Sequence, residues 1–476
     1  MQIPKIIQGG MGVAVSDWRL AKTVSSLGSL GVVSGTGIAN ILIARLMSGD
    51  MGGHVRRAME NFPIQEPIRK IIKKYYRQKG IGKMPFKRPP MWQFKTPKAL
   101  LELTVVANFV EVFLAKENGE DQTIGLNLLE KIQFPTVASL YGAMLAGVTV
   151  VIMGAGIPYQ IPSILEDLSQ HKSTEYKISV YGSNQDDNFN LPFSPKNIFP
   201  GIETKVGQLN KPLFLPIVSS DILAKALIKK TNGFIDGFII EAPTAGGHNA
   251  PPRGKSMLND RGEPLYGDRD ILNFQKFRDL NYPFWLAGGY DSPEMLDVAL
   301  ENGASGVQVG TAFAFCDESG LSLSLKSEVI RLVLDNQMEI RTDPLISPTG
   351  FPFKVVQLAN SVSNEKVFLE RERLCDIGLL RQVKKTENGG IVYYCPAEPD
   401  DKYISKGGNP CDLTGRSCLC NNLIASSGFA QVRTNGYVEP PLVTAGDSIS
   451  GIKKFIPNGK ISYSAKDVLN YVLDAV

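Results

Sequence analysis

Short hydrophobic stretches recur along the chain, and each ends in glycine or a polar turn. They are apolar nearly throughout, without strict alternation, which is typical of parallel strands buried on both faces. Helical patterns lie between several of them, with Asp17 and Ser292 as N-cap candidates and Pro293 in a first turn. The hydrophobic stretches cover residues 3–8, 29–34, 123–128, 148–153, 213–218, 237–241, 284–287 and 306–310.

Eight such strands with intervening helices predict an α/β fold, a closed (β/α)8 barrel or TIM barrel. An open doubly wound sheet is the alternative. Two regions lie outside the repeat: a helical, basic insertion at about 44–103, after the second strand, and a long C-terminal extension. We therefore divide the chain into a barrel at 1–365 and an extension at 366–476, which has five of the six cysteines and a terminal helix.

The charge of the chain limits the classes of partner that we expect it to bind. The chain has 51 basic and 47 acidic residues, a balance that favours neither nucleic acid nor an anionic membrane. The N-terminus lacks a signal-peptide pattern, and no apolar run reaches the ~18 residues that cross a bilayer, so we expect a cytoplasmic protein. Residues 69–88 are basic without any acid, which indicates a solvated helix face or, alternatively, a docking site for an acidic partner such as acyl carrier protein.

Glycine-rich turns follow several strands, at the end of the barrel that carries function. Gln8-Gly9-Gly10-Met11 lets the backbone approach a flat ligand, unless it is a plain tight turn. Asn127 closes the third strand and offers an amide donor and acceptor, unless it caps a turn. Gly288-Gly289 and Gly310-Thr311, after the seventh and eighth strands, predict a phosphate site, for a cofactor or for a phosphorylated substrate.

A histidine follows the sixth strand, in the loop Ala245-Gly246-Gly247-His248. Its ordinary pKa, about 6.5, suits proton transfer near neutrality, so His248 is the candidate catalytic base, with a surface histidine as the alternative. After the fourth strand, Gly154-Ala155-Gly156 is similar to part of a dinucleotide-binding turn. It lacks the third glycine, and we reject that interpretation.

Taken in order, these motifs resemble those of the nitronate monooxygenase family, formerly called 2-nitropropane dioxygenases. The chain is also similar to the related flavin-dependent enoyl-acyl carrier protein reductases. The resemblance spans about residues 3–315 and rests on PKIIQGGM, GLN ending at Asn127, AGGH ending at His248, LAGG ending at Gly289, and GASGVQVGTAF from Gly303.

The resemblance implies an FMN-dependent oxidoreductase that oxidises nitronates or nitroalkanes with O2, and related barrels often pair as homodimers. His248 would deprotonate a neutral nitroalkane or position the anionic nitronate. The alternatives are an NAD(P)H-dependent enoyl or quinone reductase, and a flavin-binding subunit associated with a carrier protein or complex. Residues implied to bind the cofactor are Gly9, Gly10, Met11 and Asn127 at the ring, Gly246 and Gly247 nearby, and Gly288, Gly289, Gly310 and Thr311 at the phosphate.

The cysteines of the extension cluster in sequence. Their spacing is not the paired C-x2-C of zinc ribbons, so buried free thiols are the main interpretation. A structural zinc ion or an iron–sulfur cluster is the alternative. The residues concerned are Cys375, Cys395, Cys411, Cys418 and Cys420.

Overall fold

Eight parallel strands lie where the hydrophobic stretches predict them. The structure is a computed structural model that describes residues 3–117, 119, 122–184, 186–232, 234–254 and 257–474. We number the barrel strands β1 (Ile6–Gln8), β2 (Gly31–Ser34), β3 (Ile124–Leu129), β4 (Val150–Gly154), β5 (Leu213–Val218), β6 (Phe238–Glu241), β7 (Phe284–Ala287) and β8 (Gly306–Val309).

The sheet closes on itself. Its strands follow the order β1-β8-β7-β6-β5-β4-β3-β2, and a parallel bridge joins Ile7 to Leu30, beside β2. The backbone N–H of Leu30 donates to Ile6 at 3.0 Å, and that of Gln8 donates to Leu30 at 2.9 Å. The predicted TIM barrel is therefore confirmed. Its interior is filled by Ile7, Leu30, Val32, Val150, Ile152, Leu215, Ile239, Trp285 and Ala287.

Helices cover the outside of the barrel, one after each strand. The predicted caps are present: Asp17 accepts hydrogen bonds from the N–H groups of Arg19 and Leu20, and Ser292 accepts one from Met295. The helices are Trp18–Ser26, Lys98–Lys116, Thr136–Leu145, Ile161–Ser169, Asp221–Lys230, Phe274–Arg278, Pro293–Glu301 and Leu323–Leu334.

The long connection between β2 and β3 adds the helices Ile38–Met47, His54–Glu60 and Gln65–Tyr75. The outer-layer helix Lys98–Lys116 begins within the region predicted as an insertion. On Gln65–Tyr75 the basic side chains lie exposed. Lys70 pairs with Glu66 at 2.6 Å, an ion pair on the solvent side.

After β8 the chain crosses the catalytic end of the barrel and returns to its side. The Ser427 hydroxyl donates to the Val13 carbonyl in the first loop. Helices here are Thr311–Ala314, Glu365–Glu370, Asp400–Ser405, Leu419–Ser426 and Ala465–Val472, with the hairpin Gln382–Lys385 and Ile391–Tyr394. A further sheet combines Ile340–Asp343, Phe353–Val356 and Gly247–His248.

Other small elements lie in the loops. The connection between β4 and β5 holds the hairpin Thr174–Lys177 and Asn190–Phe193 and the short helices Pro195–Ile198 and Ile202–Val206. Within the described ranges, no helix combines the length and the apolar character needed to span a membrane. The 3-10 helices are Met51–Gly53, Asp268–Asp270, Pro410–Leu413 and Asp447–Phe455.

Candidate active site

A single cavity at the carboxyl end of the strands brings together every site residue that the sequence predicts. All eight barrel strands contribute to its lining, seven through their ends or the loops that follow them and β5 through Ile217. The C-terminal extension also lines it. The predicted residues that line it are Gly9, Gly10, Met11, Asn127, Gly246, Gly247, His248, Gly288, Gly289, Gly310 and Thr311.

Buried polar side chains hold the loop after β1 in place. Gln8 donates to the Ser16 hydroxyl at 2.7 Å, and Ser16 accepts from the Met11 N–H at 2.8 Å. Asn127 donates to the Gly10 carbonyl at 2.6 Å. A Cβ on Gly10 would lie 2.2 Å from the Asn127 Cβ, so this close approach requires glycine.

The glycines after β7 and β8 form one end of the cavity. Gly288 has φ +105°, and its carbonyl accepts from the Thr244 hydroxyl at 2.8 Å. A Cβ on Gly289 would meet no atom within 4 Å, and one on Gly310 would meet only the Met11 sulfur, at 3.8 Å. The Thr311 hydroxyl accepts from the Gly446 N–H at 2.8 Å, which leaves its own proton to donate.

His248 lies in a short strand that pairs with Phe353. Its Nε2 is 2.7 Å from the Ser347 hydroxyl, and its ring meets the Phe353 ring edge-on at 4.7 Å. Burial, and to a smaller extent the charge of Lys131, lowers the pKa of His248 to about 3. The imidazole is therefore neutral across the physiological range.

Sequence reasoning missed two polar residues at the top of the barrel interior. Glu241 on β6 and Gln308 on β8 both pair in register with Ala287 on β7, so all three face inward. Burial raises the pKa of Glu241 to about 7. The inward periodicity of two, continued from Ile239 to the end of β6, is the signal that could have identified Glu241.

The extension forms the outer wall of the cavity, which sequence reasoning also missed. The Gly247 N–H donates to the Thr444 hydroxyl at 2.8 Å, and the Asp447 N–H donates to the Thr244 carbonyl at 3.0 Å. A Cβ on Gly246 would lie 2.7 Å from the Ala445 backbone. These contacts join segments about 200 residues apart, beyond the reach of any local motif.

One cysteine of the extension, Cys420, lines the cavity. The cysteines are free thiols, and burial raises the pKa of Cys375 to about 12. In the part of the chain that the structure describes, no group of three or more His, Cys, Asp or Glu side chains could hold a metal ion. The structure thus gives no support to a zinc or iron–sulfur site.

Two observations show that the cavity suits a flavin cofactor. Side chains at Gly289 and Gly310 would project into it, so glycine keeps a space that a ligand can fill. Two buried acceptors that line it, Asn127 Oδ1 and Gln308 Oε1, lack hydrogen-bond partners among the described residues. Unpaired buried acceptors are costly, and the ring N–H and ribityl hydroxyls of a flavin are suitable donors.

Comparisons with known proteins agree with the motifs. The model of the nitronate monooxygenase family matches residues 206–342, which run from the end of the helix before β5 into the strand Ile340–Asp343 and include His248. No curated protein shows significant similarity to this sequence.

Solved structures similar to this chain include FabK from Thermotoga maritima (15% identity, TM-score 0.45, covering 99% of this chain and 92% of that one). Another is a nitroalkane oxidase from Streptomyces ansochromogenes, with 14% identity and a TM-score of 0.45, covering 99% of this chain and 95% of that one. A third is the enoyl reductase domain of MlnA from Bacillus amyloliquefaciens, with 11% identity and a TM-score of 0.48, covering 99% of this chain and 92% of that one. Likenesses this distant carry no activity over to this chain. The resemblance to the nitronate monooxygenase family is confirmed by the family model over residues 206–342, and this match supports a flavin-dependent oxidoreductase.

Proposed function

We propose that this chain is an FMN-dependent oxidoreductase that oxidises nitronates with O2. The observation that carries the proposal is the meeting of the two glycine loops, the Gly9–Met11 turn and His248 around one cavity. When bound, FMN supplies the electron transfer chemistry, while the protein supplies binding, orientation and electrostatics.

Each group of residues has a task. Gly288, Gly289, Gly310 and Thr311 would hold the phosphate, and Gly9, Gly10 and Met11 would lie along the ring, with Gly246 and Gly247 nearby. Asn127 and Gln308 would accept hydrogen bonds from the cofactor through their unpaired oxygens. The extension, through contacts such as Gly247 to Thr444, would exclude water from the reacting atoms.

His248 would act mainly by positioning. A conjugate acid with pKa about 3 makes the imidazole a weak base toward a neutral nitroalkane. A neutral imidazole can still donate a hydrogen bond to an anionic nitronate oxygen, and the Ser347 hydroxyl 2.7 Å from Nε2 orients the ring. The low pKa thus supports the positioning role over the role of base.

The first experiment is anaerobic mixing of the purified yellow protein with a nitronate, with NADH or with NADPH, followed by flavin absorbance. Flavin reduction by the nitronate alone, and O2 consumption when air is admitted, is the expected result. Rapid bleaching by a pyridine nucleotide would instead identify a flavin reductase and contradict the proposal.

The second experiment tests His248. His248→Ala should lower kcat/KM for a nitronate about 10- to 100-fold, since a hydrogen bond to a charged group is lost. The pH profile of kcat/KM of the parent enzyme should show no titration of His248 between pH 5 and 7, because the pKa of His248 in the folded protein is about 3. His54→Gln, outside the cavity, is the control. An unchanged kcat/KM of His248→Ala for the nitronate would show that His248 does not position the substrate.

A further inference from the structure

Lys131 stands out among the charged side chains near the cavity because its buried amine has no hydrogen-bond partner among the described residues. It follows β3 by two residues, at the catalytic end of the barrel. Its Nζ is withdrawn from solvent and has no hydrogen-bond partner among the described residues. Its neighbours Leu129 and Ile132 line the same cavity as His248, whereas the Lys131 amine lies against the Phe351 ring, outside the lining.

The contacts of Lys131 lead to His248. Its Nζ lies over the ring of Phe351, 2.7 Å from the centroid. Phe351 belongs to residues 347–353, the segment that also holds His248, through the Ser347 hydroxyl at one end and the Phe353 ring at the other. The lysine and the histidine are thus placed by one short segment.

The carboxylate that acts on the charge of Lys131, Glu130, has other contacts. Glu130 accepts a hydrogen bond from Gln133 at 2.7 Å, and it packs so closely on Gly156 that a Cβ there would lie 2.0 Å from Glu130 Oε2. Burial raises the pKa of Glu130, which weakens it further as a counter-ion. Among the described residues, no carboxylate forms an ion pair with Lys131.

A buried ammonium without a counter-ion is strongly disfavoured, so a site of this kind either stays neutral or receives an anion. Burial lowers the pKa of Lys131 to about 7, with Glu130 opposing the shift. The ionisable groups that act on this amine or are affected by it are Glu130 and His248. Glu130 offsets the effect of burial only in part, and the neutral His248 supplies no negative charge.

We propose that Lys131 is the anion-binding residue of the substrate site, which receives a planar oxyanion such as a nitronate or carboxylate group beside His248. The inference rests on the proposed function in taking the flavin cavity as the place where the substrate lies. In this assignment, Lys131 supplies the positive charge that binds the anion, and His248 donates the hydrogen bond that orients it. Phe351 would move aside when the anion arrives.

Direct binding tests the proposal without turnover. The holoprotein is titrated with propionate and with its neutral isostere propionamide, and the flavin spectrum and calorimetric heat are recorded. Lys131→Met should weaken propionate binding at least tenfold and leave propionamide binding and the flavin spectrum unchanged. Lys131→Arg, which keeps the charge, should recover most of the affinity. Lys172→Met, at an exposed lysine, is the matched control.

Proton uptake gives a second readout. Between about pH 7 and 9 much of the free amine is neutral, so propionate binding should draw in up to one proton, seen as a dependence of the heat on the ionisation enthalpy of the buffer. Lys131→Met should abolish this uptake. If Lys131→Met loses its flavin through misfolding, Lys131→Arg and the parent protein still test the uptake.

The outcomes separate this inference from the proposed function. Equal propionate affinity in the parent protein and Lys131→Met, or no proton uptake by the parent protein, would overturn the assignment of Lys131 even if nitronates are oxidised. Lys131-dependent propionate binding in a protein that fails to oxidise nitronates would keep the anion site and reject the nitronate as substrate.

Discussion

The two ends of the cavity are built in different ways. The glycine end, made of Gly288, Gly289, Gly310 and Thr311, consists almost entirely of backbone and open space. The histidine end is lined by His248 and Phe353. Next to them lie Lys131, Ser347 and Phe351, and these side chains contact one another over long sequence separations.

Because of this difference, the two ends suit two different kinds of ligand. Backbone N–H groups bind phosphate through dipoles that cannot be titrated, so the glycine end suits a permanent cofactor. The histidine end holds a neutral imidazole and an amine whose charge depends on pH near neutrality, so it suits a ligand that enters and leaves. The comparison predicts that changes at the glycine end abolish flavin binding, whereas changes at the histidine end alter only the substrate.

The largest effect is expected from Gly288→Val. Its φ of +105° and the Thr244 hydroxyl 2.7 Å from a Cβ leave no room for a side chain, so the loop must move. We expect flavin affinity to fall at least a hundredfold, measured by fluorescence titration of the apoprotein with FMN. Gly436→Val is the control, since Gly436 also has positive φ but meets nothing within 4 Å. An equal loss of flavin affinity in both variants would show that backbone strain, and not the position of Gly288 in the site, causes the loss.

The next effect concerns Glu241, one of the two polar residues that line the cavity from the top of the barrel interior. Burial raises the pKa of Glu241 to about 7 from its ordinary value near 4.5. A carboxyl with a raised folded-state pKa contributes its full stability below the unfolded pKa and loses it as pH rises through 7. Relative to Glu241→Gln, the parent apoprotein should therefore lose about 2–3 kcal/mol of unfolding free energy between pH 4.5 and 8.

Urea denaturation of both apoproteins at several pH values measures this difference. Parallel pH dependences in the two proteins would place the Glu241 carboxyl in contact with water. The measurement also shows whether Glu241 titrates near neutral pH, as we expect of Lys131 near the histidine end, or resembles the glycine end, which has no titratable group.

The sequence was sufficient for the barrel and for the glycine end. Buried parallel strands are recognisable as continuous apolar runs, and glycines such as Gly288 are written into local motifs. Each of the eight strands therefore lies within a residue or a few of its predicted position, and all the predicted site residues line one cavity.

The histidine end could not be predicted in the same way. Ser347 reaches His248 across 99 residues, and Thr444 reaches Gly247 across 197. Such pairs depend on how the segments that follow β8 fold over the barrel, which no periodicity encodes. Lys131 gave no signal either, because a lysine after a strand is ordinary until its burial is known.

The smallest effect is expected where the extension meets the histidine loop. Thr444→Val removes the hydroxyl that accepts the Gly247 N–H at 2.8 Å while it keeps the shape of the side chain. Losing one such hydrogen bond costs about 1 kcal/mol, which corresponds to a fivefold rise in KM for a nitronate with FMN affinity unchanged. Thr204→Val, on an exposed helix, is the control. Because the threonine contacts the loop of His248 and not the glycine end, a matching loss of FMN affinity would mean that the two ends are coupled through the extension and do not act separately.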